Sequence, residues 1–146
     1  MANHFFTQEQ KDSIVNAVKD AELQTSGEIR VHIDKRCKEN VLDMSAFIFK
    51  KLEMHKTELR NGVLFYIAYK DKKFAILGDA GINAKVEEHF WDNIKEEMGK
   101  FFKAEDFTKG LTKGISMAGE KLKKYFPYME GEDINELPDD ISFGNN

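Results

Sequence analysis

Val63-Leu-Phe-Tyr-Ile-Ala-Tyr69 is seven apolar residues without a break, opened by the turn signal Arg60-Asn61-Gly62. A strand with one wet face alternates apolar and polar residues, so an uninterrupted run of this length predicts a central strand covered on both faces. Such a strand needs partners and two covering layers. Lys70-Asp-Lys-Lys73 is short and polar, so Phe74 to Leu77 returns as an antiparallel hairpin partner. Glu28-Ile-Arg-Val-His-Ile33 alternates and supplies another strand.

Helical spacing accounts for most of the rest. Thr7-Gln-Glu-Gln10 is a capping-box pattern, and Ile14, Ala17, Val18 and Ala21 follow on one face, predicting a helix from Gln8 to Leu23. Val41 to Met54 reads as a buried crossover helix with Lys50 and Lys51 near its end. Val86, Phe90, Trp91, Ile94 and Met98 predict a third helix, and Asp106 caps a fourth. In that fourth helix Gly110, Gly114 and Gly119 cost propensity, so close approach to a neighbour is expected there. The fold class is α/β: an αβα sandwich with a mixed sheet, in one domain spanning residues 1–146, with a core at 5–127 and a tail at 128–146.

Connection rules place the loops. A helical crossover makes the first two strands parallel, and the hairpin makes the third antiparallel. Thr25 to Glu28, Arg60 to Gly62 and Gly78 to Asn83 therefore share one end of the sheet, and the tail starts there as well.

Charge is unevenly placed. Six acids (Glu130, Glu132, Asp133, Glu136, Asp139, Asp140) follow residue 129 with no Lys or Arg, which leaves 20 acids against all 22 bases in the body. A near-neutral body with an acidic tail argues against nucleic acid as a partner. No apolar stretch reaches the roughly 20 residues that span a bilayer, and the N-terminus lacks a signal-peptide pattern. The single Cys37 rules out an internal disulfide; it sits between Arg36 and Lys38 with no candidate base nearby in sequence, and an inert thiol is the plainer reading. A cytoplasmic monomer is expected, with divalent cations and a protein as the candidate partners.

Gly78-Asp79-Ala80-Gly81-Ile82-Asn83 puts a carboxylate between glycines at a strand-to-helix junction. It suits a hard cation, and the competing plain reading is a tight turn in which Asp79 bonds its own backbone. Glu28, Glu58, Asn61, Asp79 and Asn83 gather with the tail acids at that end. Asp133-Ile-Asn135-Glu136 carries the alternate oxygens of a calcium loop, though only as a fragment. The metal-ligand candidates are Glu28, Asp79, Asp133, Glu136, Asp139 and Asp140, for calcium first and magnesium second. A salt bridge from Arg60 to Glu28 or Asp79 is the competing structural reading. His4, His32, His55 and His89 share no metal spacing, and no nucleophile elbow, phosphate-binding glycine loop or CxxC is present.

Thr25-Ser-Gly-Glu-Ile-Arg-Val31, Arg60-Asn-Gly-Val-Leu64, Phe74-Ala-Ile-Leu-Gly-Asp-Ala-Gly-Ile-Asn83 and Phe126-Pro127 together resemble the TPM domain family over roughly Phe5 to Pro127. The resemblance implies an αβα sandwich with a four-stranded sheet and an acidic pocket at the sheet end, with Asn61 and Asp79 as the positions carried over. It also implies a metal-dependent acid phosphatase as the alternative to a cation-binding regulatory or interaction module. Members of the family usually begin with a further strand, ending near an Asp, and often carry a signal peptide and a membrane anchor. Here the first helix comes almost at once, so Ile141-Ser-Phe143 is expected to fill the vacant sheet slot and carry the tail across the Asp79 loop.

Overall fold

The computed structural model describes residues 4–129 and 135–144. Helix α1 (Gln8–Glu22) begins at the anticipated capping box, in which Thr7 accepts from the Gln10 amide and the Gln10 side chain accepts from the Thr7 amide. Strand β1 (Glu28–Asp34) follows, then α2 (Val41–Lys51), capped by Asn40. Helix α2 ends before Met54, which opens a short 3-10 turn, Met54–Lys56. Strands β2 (Gly62–Ala68) and β3 (Lys73–Gly78) form the hairpin.

The chain then departs from the sequence expectation. Instead of one helix from Val86, a single turn α3 (Ala80–Asn83) is followed by irregular backbone, and α4 begins only at Asp92 (Asp92–Lys103). His89 takes a positive φ of 66°, which breaks helical continuity between Val86 and Ile94. The apolar spacing persists across the break because Phe90 is buried and Val86 and Trp91 pack against the same core. Helix α5 (Phe107–Leu122) is capped by Asp106 as expected, and β4 (Ser142–Phe143) closes the described chain.

The sheet order is β3-β2-β1-β4, with β1 parallel to both β2 and β4 and β3 antiparallel to β2. The tail therefore fills the fourth slot. Ile29, Val31 and Ile33 of β1 join Val63, Phe65 and Ile67 of β2 in the larger core, under α1, α4 and α5. Leu64, Tyr66 and Ala68 face the other way, against Ile48 and Phe49 of α2. Every residue of β2 is buried, as its apolar run requires. Gly119 lets α5 close on α1, since a Cβ there would stand 2.7 Å from that of Ala21.

Alternation leaves Glu28, Arg30, His32 and Asp34 on the α2 face of β1. Four polar side chains on one face of a strand are costly unless satisfied. The tail satisfies most of them. Leu137 donates its amide to Glu28, Asp140 lies 3.9 Å from Arg30, and Ser142 bonds His32. Residues 135–144 form a strap along the β1 edge.

Candidate functional site

The loops at the N-terminal ends of β1 and β2 do meet. The Glu28 amide donates to the Asn61 carbonyl, the Asn61 side-chain amide to the Ser26 carbonyl at 2.7 Å, and the Asp79 amide to the Gly62 carbonyl. Thr25 donates its hydroxyl to the Phe126 carbonyl, which ties the end of α5 to the same place. The strap arrives through Glu136, whose carboxylate accepts from the Glu58 amide at 3.2 Å.

Asp79 and Arg60 form a closed pair. Arg60 Nε and an Nη each donate at 2.7 Å to opposite oxygens of Asp79, a bidentate geometry. Asp79 also accepts from the Ala80 amide at 2.8 Å and is only 6% exposed. The backbone is shaped for this contact. Arg60 adopts a φ of 50°, and its carbonyl accepts from Gly81, where a Cβ would stand 2.1 Å from the Leu59 carbonyl oxygen. A cation at Asp79 would have to displace a guanidinium. The salt-bridge reading is what the geometry presents.

The strap edge differs in kind. Glu22, at the end of α1, accepts from the Ile29 amide and shares a hydrogen bond with the carboxyl of Asp139. Burial, reinforced by Asp139, pushes Glu22 up from 4.5 to about 9. Glu28, 4% exposed, meets the carboxyl of Glu136. Burial lifts its pKa to about 7, while the Leu137 and Glu136 amides pull the other way. Acid faces acid at both places. Two carboxyls in contact need a proton or another cation between them. Beside them lies a cavity of about 290 Å³ lined by Lys19, Glu22, Ser26, Glu28, Asn135 and Asp139 among others.

Of the residues predicted from sequence as metal ligands, Glu28, Glu136 and Asp139 come together here. Asp140 is set apart on Arg30, Asp79 is held by Arg60, and Asp133 lies outside the described residues. Among the described residues no three His, Cys, Asp or Glu side chains converge tightly enough to hold a metal ion. The donor set is nonetheless all hard oxygen, and the Asn61 side-chain oxygen at this end is buried without a partner. That donor chemistry fits calcium or magnesium. Glu22 escaped the sequence reading because it belongs to a regular helix. Its signal was position: an acid in the last helical turn opposes the helix dipole.

His89 is exposed between Glu88 and Asp92, and Cys37 is buried, its thiol on the Glu39 carbonyl. Among the described residues no helix is long and apolar enough to cross a membrane.

The TPM domain family matches residues 2–121. The solution structure of the BA42 protein from the psychrophilic bacterium Bizionia argentinensis is 47% identical, covers 96% of each chain and superposes with a TM-score of 0.90. The N-terminal domain of a P. gingivalis protein has a TM-score of 0.69 at 11% identity, covering 87% of this chain and 83% of that one. That of cg2496 from Corynebacterium glutamicum has 0.64 at 10%, covering 87% and 78%. These two share the fold. No curated protein matches the chain.

Proposed function

The chain belongs to the TPM domain family, and from that premise we propose that it is a divalent-cation-binding TPM domain in which the cation fastens the C-terminal strap. Calcium is favoured and magnesium admissible, and the fastened strap serves a regulatory or interaction role. One observation carries the reading: Glu22 meets Asp139 and Glu28 meets Glu136, each an acid of the body against an acid of the strap. Such pairs hold together at low pH through shared protons and repel once both partners ionise.

A divalent cation would supply the positive charge that the departing protons remove. The chain's own part is to offer oxygen donors from α1, β1 and the strap around one cavity, and to let the strap shift onto them. Asp79 is left out of the donor set and instead fixes the Arg60 turn beneath it. Binding only to the folded state stabilises it by about 2.7 kcal/mol at 100-fold saturation. For a domain of this size that is a rise in melting midpoint of roughly 5–10 °C.

Thermal melts at pH 7.5 with EDTA and with calcium test the reading, together with calorimetric titration in two buffers of different ionisation enthalpy. The expected result is a higher midpoint with calcium and release of protons on binding. Identical midpoints overturn it.

Metal-dependent phosphatase chemistry is the second reading. Lys19 lining the same cavity as the acids favours it, because an ammonium beside a held cation would pair with a phosphate. Turnover of p-nitrophenyl phosphate that needs both calcium and Lys19 supports it. Turnover unchanged in Lys19→Met counts against it.

A further inference from the structure

We propose that Ser142, His32 and Asp34 form a second site, at the other end of β1, able to hydrolyse small apolar carboxylic esters. Ser142 Oγ lies 2.8 Å from His32 Nδ1, and His32 Nε2 lies 3.0 Å from Asp34 Oδ1. A nucleophile, a base within hydrogen-bond reach and an acid that orients the base are the parts that activate a serine.

The fold makes this arrangement from residues far apart in sequence. His32 and Asp34 sit two apart on β1 and so share its α2 face, while β4 runs parallel to β1 with Ser142 directly opposite His32. An ionised Asp34 only accepts, so it selects the tautomer with the proton on His32 Nε2 and leaves Nδ1 bare toward the Ser142 hydroxyl. Asp34 is itself held, because Tyr66 donates its hydroxyl to Oδ2 at 2.6 Å. The Tyr66 ring also stacks on the imidazole at an interplanar angle of 7°. His32 and Asp34 are 5% and 3% exposed, so the base is fixed in place.

A group fixed this firmly could be mere scaffolding, but it borders open space. A cavity of about 390 Å³ is lined by His32, Asp34 and Ser142 together with Met44, Leu52 and Lys51. That volume is in the range of small-molecule sites, and Met44 and Leu52 suit an apolar acyl or alcohol group. Lys51, in the last turn of α2, brings a positive charge to the wall where a carbonyl oxygen would turn negative.

In the reaction Ser142 Oγ attacks the ester carbonyl and gives its proton to His32 Nδ1. The C–O bond to the alcohol breaks, and the alcohol leaves with that proton. Water then attacks the acyl-Ser142 ester, again through His32, releasing the carboxylic acid and restoring the hydroxyl. Ser142 and His32 are the catalytic residues here, and Asp34 is a positioning residue.

The test uses the full chain. A fluorophosphonate probe followed by peptide mass spectrometry should place one label on Ser142, and p-nitrophenyl butyrate should be hydrolysed. Ser142→Ala should abolish the label, and both Ser142→Ala and His32→Gln should lower hydrolysis by about 100-fold or more. Asp34→Asn should lower the rate with little change in KM. Absence of label on unmodified protein under excess probe overturns the proposal, and that measurement needs no variant to fold. Hydrolysis that survives Ser142→Ala also overturns it, and leaves the network as a clasp for β4.

Discussion

The Asp79 turn and the strap edge stand at the same end of one sheet, and both bury carboxylates, yet they resolve the charge in opposite ways. Asp79 has a guanidinium on two of its oxygens and a backbone amide besides. Glu22 and Glu28 have other acids. A buried charge paired with its opposite is a piece of framework. A buried acid paired with an acid is an unsettled charge that pH or a cation can decide. From this contrast the motif most conspicuous in the sequence is expected to respond less to pH and cations than the strap edge.

Breaking the framework side has the largest effect. Arg60→Ala leaves Asp79 buried without its partner and should give the largest drop in urea midpoint, tempered because Arg60 itself is half in water. The loss should be the same with and without calcium. A calcium-dependent loss would mean that Arg60 and Asp79 belong to the cation site after all.

The strap side should show itself through pH. An unfolded glutamate titrates near 4.5 and folded Glu22 near 9, so the folded state holds that proton more firmly. The stabilisation is whole below pH 4.5 and is lost as pH rises through 9, and Glu28 adds a loss between 4.5 and 7. Glu22→Gln keeps the shape without the charge. It should flatten the decline and be more stable than the parent by about 1 kcal/mol at pH 8, well short of the full shift because Glu22 is only partly buried and water screens its charge. Parallel pH profiles for the two proteins would remove the acid–acid pair from the account.

The smallest effect is expected at Asp140. Its carboxylate is exposed and 3.9 Å from Arg30, so Asp140→Asn should change stability by less than about 0.5 kcal/mol. A larger loss would make Arg30 the anchor of the strap.

Much of this fold is legible in local patterns. The apolar run at Val63 demanded a covered central strand and the capping box set the start of α1, whereas Ile141 to Phe143 as the fourth strand was implied only by the resemblance to the TPM domain family. The meeting of the loops followed from chain direction alone. What escaped was set by contacts between distant residues. The break at His89 is invisible because Val86, Phe90 and Trp91 keep helical spacing while packing from irregular backbone. Glu22 is one acid on a regular helix, and only Asp139 lying against it sets it apart. The sequence offered Arg60 either Glu28 or Asp79 as its counter-charge, and only the Arg60 backbone at positive φ, braced by Gly81, aims the guanidinium at Asp79.

Backbone NMR during a calcium titration tests the central distinction most directly. Saturable shifts are expected near residues 19–29, 57–61 and 135–140, with the Ala80–Asn83 turn and the α2 helix, Val41–Lys51, nearly still. Saturable shifts centred on Asp79 and Arg60, with the strap unmoved, would contradict it.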